Sequence, residues 1–161
     1  MASASAHPNA HTTLQDEQKL IDCLIDLMKQ EQQFLVAANT DGLATLTPLK
    51  TQLVEQMDAL AGERHQSLQT AGFAPSEAGM DAYVQSAASA AISTSWRQVL
   101  ERMREAKELN RINGMLINKQ MMHNQILIQA MRSPADAADT GFYGPSGQAT
   151  TVNSKRRLVV G

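Results

Sequence analysis

The stretch from Trp96 to Met131, WRQVLERMREAKELNRINGMLINKQMMHNQILIQAM, decides the fold. Trp96, Val99, Met103, Ala106, Asn110, Asn113, Ile117, Gln120, Asn124, Leu127 and Met131 follow one another at intervals of three and four, which places them on one stripe of a single helix. The pattern predicts a helix from about Ser93 to Met131, roughly 55 Å long at about 1.5 Å per residue. Four of the eleven stripe positions are the amides Asn110, Asn113, Gln120 and Asn124. A buried amide without a partner costs about 1 to 3 kcal/mol, so these side chains need partners. Two readings stay open. The amides can fix the register of a helical bundle, for instance by bonding Glu31 across the seam. Alternatively the stripe is partly open and receives another protein's helix, with Leu116, Ile117, Leu127, Ile128 and Met131 supplying apolar contact and the amides supplying hydrogen bonds. Met103, Met115, Met121, Met122 and Met131 crowd the same helix, and flexible thioethers suit both a core and an adaptable groove.

Working outward, Leu14, Ile21, Leu24, Ile25, Met28, Leu35 and Ala38 recur at helical spacing. Thr12 or Thr13 is the expected N-cap of that first helix, with Gln15 and Asp16 three residues later. Glu31 interrupts the stripe where an apolar residue is due. Gly42 in NTDGL breaks the pattern, and a second helix is expected to begin between Asp41 and Pro48, with Leu46, Leu49, Leu53, Met57, Leu60 and Leu68 on its buried face. TAGFAPSEAG, residues 70 to 79, reads as a connection. Glu77 to Ala91 reads as a short helix anchored by Met80, Tyr83 and Val84. Pro134 is expected to stop the long helix, and the glycine-rich remainder, with TGFYGPSGQATT at residues 140 to 151, to be a flexible tail displaying Phe142 and Tyr143.

The chain has 161 residues, 43% hydrophobic and only 4% aromatic, the size of one domain and a balance that favours helices over sheets. Its first ten residues, MASASAHPNA, lack the basic cluster and apolar run of a secretory signal, and no later run of eighteen apolar residues occurs, so a cytoplasmic protein without membrane insertion is expected. Net charge is -2, too small to suggest nucleic acid. It is unevenly divided: nine acids against four bases between Asp16 and Arg64, and seven bases against three acids between Arg97 and Arg132, so the two helical regions should attract when packed side by side. The terminal Lys155, Arg156 and Arg157 read as a solvated end. Cys23, the one cysteine, lies in LIDCLIDLM and reads as a small core residue.

Catalytic signals are missing. His7 and His11 have metal-ligand spacing but flank Pro8 with no third ligand near, and His65 and His123 have no nucleophile or carboxylate at informative spacing. No phosphate loop, zinc pattern or nucleophile elbow occurs. The expectation is a protein that is not an enzyme, with no cofactor and no metal.

Several pieces in order carry a resemblance. LIDCLIDLMKQEQQFL, then DGLATLTPLKTQLVEQMDAL, then the tryptophan-led helix with LNRINGMLINKQMMHNQIL, then FYGPSG together resemble the FlgN family of flagellar export chaperones, over residues 14 to 150. Glu31, Asp41, Lys50, the Asn110–Asn113–Gly114 run, and Tyr143-Gly144 with Gly147 are its more specific points. The resemblance implies a cytoplasmic chaperone that binds the C-terminal helical segments of the hook-filament junction proteins, prevents their premature association, and delivers them to the cytoplasmic domain of the flagellar type III export gate. It implies cargo contacts along Asn110, Asn113, Leu116, Ile117, Gln120, Asn124, Leu127, Ile128 and Met131, and gate contacts at Tyr143, Gly144 and Gly147. Ser146 stands where the family has an acidic residue. A self-associating coiled-coil adaptor and a chaperone for filament or cap subunits are the alternatives, and a weak homodimer stays open.

The expected fold is all-α: an antiparallel helical bundle or long helical hairpin of three to four helices. Residues 1–12 are expected to be a disordered N-terminus, 13–132 the bundle and 133–161 a flexible tail.

Overall fold

A computed structural model describes residues 9–142, with side chains over 9–132. Its described elements are four helices: α1 (Leu14–Val36), α2 (Thr40–Thr70), α3 (Glu77–Ala87) and α4 (Ala90–Phe142). The chain divides into two compact units, Met1–Ile117 and Asn118–Gly161.

In the first unit, α1 buries Leu14, Ile21, Leu24, Ile25, Met28 and Leu35, the stripe expected from their spacing. Glu17 and Glu31 fall on the same stripe and are buried with it. Cys23 is exposed, against the expectation of a core residue. It lies two positions after Ile21, about 200° around the helix, so an apolar run alone did not place it on the buried face. Thr13 is the N-cap residue, but its hydroxyl makes no capping bond and instead donates to Glu17 Oε1 at 2.7 Å, so the expected capping box does not form. Packing also begins earlier than residue 13. Thr12 N–H and hydroxyl both donate to the Asn9 carbonyl, and Ala10 is part of the core.

The α1 and α2 ends close with the same device. Asn39 N–H reaches back to Phe34 O and Ala38 N–H to Leu35 O, while Phe73 N–H reaches Leu68 O and Gly72 N–H reaches Gln69 O. Such a closure requires a left-handed residue, supplied by Gly72 at φ 84° and, less comfortably, by Ala38 at φ 52°. Ala38 therefore ends the stripe it was expected to extend, and it is exposed.

Asn39 caps α2, its Oδ1 accepting from Gly42 N–H at 2.9 Å. The helix starts at Thr40 and runs straight through Pro48. Proline removes one backbone bond, to the carbonyl of Ala44. Both Pro48 and Ala44 are exposed, so water can satisfy that carbonyl. Leu46 and Leu68 are buried as expected, Leu53, Met57 and Leu60 are half-buried, and Leu49 is 47% exposed, which leaves α2 a thinner buried face than its leucine spacing suggested.

Ser76 caps α3 by accepting from Gly79 N–H at 3.1 Å, and Met80 and Val84 anchor it in the core. A left-handed Ala88 then turns the chain into α4, which buries Trp96, Val99, Ala106 and Asn113. α4 does not stop at Pro134: its backbone continues to Phe142. Ala135, Ala137 and Ala138 follow the proline, and alanine has the highest helix propensity, so one lost backbone bond is tolerated. The core joins α1, α3 and the first half of α4 through Leu14, Ile21, Met28, Met80, Trp96 and Val99, with Leu68 of α2.

Candidate docking surface

Direction and register within the first unit are written in its ion pairs. Glu31 pairs with Lys50 at 3.0 Å and Glu17 with Arg64 at 3.4 Å. Each pair lies two heptads from the other on both helices, forward on α1 and backward on α2, as an antiparallel hairpin demands. α4 runs alongside α1 in the same direction, since Asp22 meets Arg102 at 3.1 Å and Lys29 meets Glu105 at 3.2 Å.

The three long helices meet at a polar node. Asn113, only 1% exposed, donates its side-chain amide to Glu31 Oε2 at 2.7 Å and to the Met28 carbonyl at 2.9 Å. Lys50 donates to both Glu31 oxygens and to Asn110 Oδ1 at 3.1 Å. A buried carboxylate is thus held by one cation and one amide, one from each neighbouring helix. Sliding α2 by a turn would take the cation from the buried Glu31, and sliding α4 would take its amide donor, so the node fixes register. Asn113 Oδ1 is buried without a partner.

Sequence reasoning picked out Glu31 but missed its counterpart. Glu17 receives the Thr13 hydroxyl and the Arg64 guanidinium, and Arg64 also lies 5.0 Å above the Trp96 ring. The Arg64 Nε contact is a Coulombic approach rather than an aligned hydrogen bond. Trp96 donates its indole N–H to Asp81 at 2.6 Å, tying α4 to α3. The signal was available: Glu17 stands fourteen residues before Glu31, on the same stripe. On the outer face of α4, hydrogen bonds to Lys29 and then Arg102 hold the Glu105 carboxyl below its ordinary range, and the Arg111 hydrogen bond does the same for Glu108.

The nine residues expected to contact cargo separate by environment. In the first unit Asn113 is consumed by the bundle and Asn110 is exposed but bonded to Lys50, while Leu116 is half-buried and Ile117 is exposed. In the second unit Gln120 is half-buried and Asn124, Leu127, Ile128 and Met131 are exposed, Met131 by 77%. Tyr143, Gly144 and Gly147 lie outside the described residues, as does His7.

A surface cavity of about 490 Å³ lies between the starts of α1 and α4, lined by His11, Gln15, Ser89 and Ser95 among others. His11 Nδ1 there is 3.0 Å from the Tyr83 hydroxyl, and no carboxylate joins the lining. Among the described residues no group of three or more metal-ligating side chains comes together, and no helix is long and apolar enough to cross a membrane. What the second unit does present is apolar surface on a helix, where Met121, Met122, Ile126, Leu127, Ile128 and Met131 are all exposed.

Comparison with known proteins gives this surface a context. Residues 6–151 match the family model described as FlgN protein. The chain is 26% identical over 136 residues to the flagella synthesis protein FlgN of Escherichia coli (strain K12), covering 83% of this chain and 85% of that one. No solved structure matches. A family match over nearly the whole chain, on a fold whose helices are locked by Glu31, Lys50, Asn110 and Asn113, shows that the protein belongs to the FlgN family.

Proposed function

We propose that this FlgN-family chaperone of flagellum assembly binds the C-terminal helical segments of the hook-filament junction proteins in the cytoplasm and hands them to the cytoplasmic domain of the type III export gate. The observation that supports cargo binding is the exposure of Leu127, Ile128 and Met131 close together on one helix, since a contiguous apolar patch, unlike a single exposed side chain, marks an interaction surface. A cargo helix with an apolar stripe would polymerise if left uncovered. Laying it on α4 removes both stripes from water at once, by the helix-in-groove mode, with no bond made or broken. Leu127, Ile128 and Met131 of the second unit would supply the contact area, and Gln120 and Asn124 the polar register. Asn113 serves the bundle instead. Methionine among the contacts suits more than one cargo, because its thioether adapts to different shapes.

Tyr143, with Gly144 and Gly147, is the proposed gate contact, from the family resemblance of that motif. Separating cargo binding from gate docking lets the gate strip cargo without first unfolding the chaperone.

The test is a pull-down with the full chain, a truncated chain and a point variant. Truncation before Asn118 is expected to abolish binding of the junction proteins while the bundle keeps its helicity, and Tyr143→Ala to retain cargo but weaken gate docking. Equal loss of both partners in Tyr143→Ala would refute the division of labour. The same exposed stripe also suits self-association; a stable oligomer by light scattering, with no affinity for junction-protein C-termini, would establish that reading in place of the first.

A further inference from the structure

A helix that docks one partner is apolar on one stripe and polar on its back. In the second unit α4 breaks that rule. Every residue from Met121 to Arg132 is exposed. Leu127 and Met131 lie on the stripe proposed for cargo, whereas Met122 and Ile126, each five positions earlier, lie roughly 140° around the helix at about 100° per residue. They are 63% and 59% exposed, no less bare than the first stripe. His123 on one side and Gln125 on the other separate the two, so a single helix laid on Leu127 and Met131 would leave Met122 and Ile126 in water.

Charge indicates what covers the second stripe. Between Asn118 and Arg132 the chain has no Asp or Glu, but it has Lys119 and Arg132, both exposed. A second copy of this helix would bring the same cations against them. A partner whose apolar stripe is bordered by carboxylates would neutralise them.

We infer that Met122 and Ile126 form a second docking stripe, about 140° around the helix from Leu127 and Met131, and that the cargo encloses this part of α4 between two amphipathic helical segments with acidic flanks. The inference rests on the cargo-binding reading above and adds to it the geometry and charge of the bound segment. One cargo chain that folds back on itself supplies both segments. Each then shields the other's apolar face as well as its own, which fits a chaperone that must hide a self-associating terminus.

The experiment uses the full chain, a purified hook-filament junction protein as probe, and titration calorimetry at low and high salt. Met122→Gln/Ile126→Gln and Leu127→Gln/Met131→Gln each change two exposed side chains, so circular dichroism should stay at the parent's value. Each pair is expected to weaken binding by about tenfold or more, because a large apolar contact is lost in both. Raising salt is expected to weaken the parent's binding further. If Met122→Gln/Ile126→Gln binds as the parent does while Leu127→Gln/Met131→Gln does not, docking is one-faced and the inference is wrong. It is also wrong if the first pair only dissolves a homodimer and leaves cargo affinity unchanged. Failure of the parent itself to bind the junction protein would instead overturn the cargo reading, and this inference with it.

Discussion

Replacing Asn113 by alanine tests whether the polar node holds the bundle. The variant loses a 2.7 Å bond to the Glu31 carboxylate and a 2.9 Å bond to the Met28 carbonyl. A hydrogen bond to a charged group contributes about 1.5 to 3 kcal/mol and a neutral one about 1 kcal/mol. Part of that loss is recovered, since the buried Oδ1 that has no partner disappears with the side chain. Glu31 is not orphaned either, because Lys50 still reaches both its oxygens. The net destabilisation should therefore be about 2 kcal/mol, below the 3 to 5 kcal/mol typical of a buried charge left alone. Urea unfolding followed by circular dichroism should show the midpoint falling by about 1 M for an m-value near 2 kcal/mol/M. The triple variant Glu31→Leu/Lys50→Leu/Asn113→Leu should recover most of the loss, since carboxylate, cation and donor leave together. A midpoint drop below about 0.3 M at unchanged m would refute the register argument and return Asn113 to the partner-facing set.

Ala38→Gly should raise the urea midpoint, by up to about 1 kcal/mol of stability, and Gly72→Ala should lower it by a similar amount, because both sites close a helix in the left-handed region. Opposite signs in the two denaturation curves are the check. Gly79→Ala should be more damaging than either, since an added Cβ would fall 1.8 Å from the Ala74 carbonyl oxygen and the α3 cap would have to shift; loss of thermal midpoint by several degrees measures it. Cys23 is exposed, so a thiol reagent should label it in the folded protein about as fast as after unfolding. The Glu105 carboxyl, depressed by Lys29 and Arg102, stabilises the fold above its unfolded pKa and loses that contribution as pH falls through its folded value; Glu105→Gln should flatten the acid limb of the stability profile, slightly, because the pair is solvent-exposed.

Periodicity read the seams well because burial follows spacing wherever a neighbour lies alongside. It placed Ile21, Met28, Val99 and Asn113 correctly, and the interrupting Glu31 led directly to its partner across the helices. What it could not supply was the number of neighbours. Leu49 keeps the helical spacing of its fellow leucines and is nearly half exposed, because nothing covers that part of α2. The same limit applies to Leu127 and Met131, whose spacing matches that of Val99 although their exposure is opposite. Pro134 was overrated as a helix breaker, and Pro48, read as the latest point at which α2 could begin, lies well inside that helix, where it frees one carbonyl on an exposed face. Buried Glu17 and Arg64 were missed because each looks like an ordinary surface charge until its partner's position on another helix is known. For Tyr143, Gly144 and Gly147 the motif and its family resemblance remain the whole argument.

Trp96 is the chain's one tryptophan, wedged against Arg64 and bonded to Asp81 deep in the first unit. Its fluorescence is therefore a built-in gauge that reads one part of the molecule. Unfolding of the bundle strips away the cation and the carboxylate and lets water reach the ring, which should redshift the emission. Trp96, Arg64 and Asp81 all belong to the first unit, whereas Leu127 and Met131 belong to the second. Intrinsic emission can thus certify, in the same cuvette as any cargo titration, that a variant which stops binding has kept its fold.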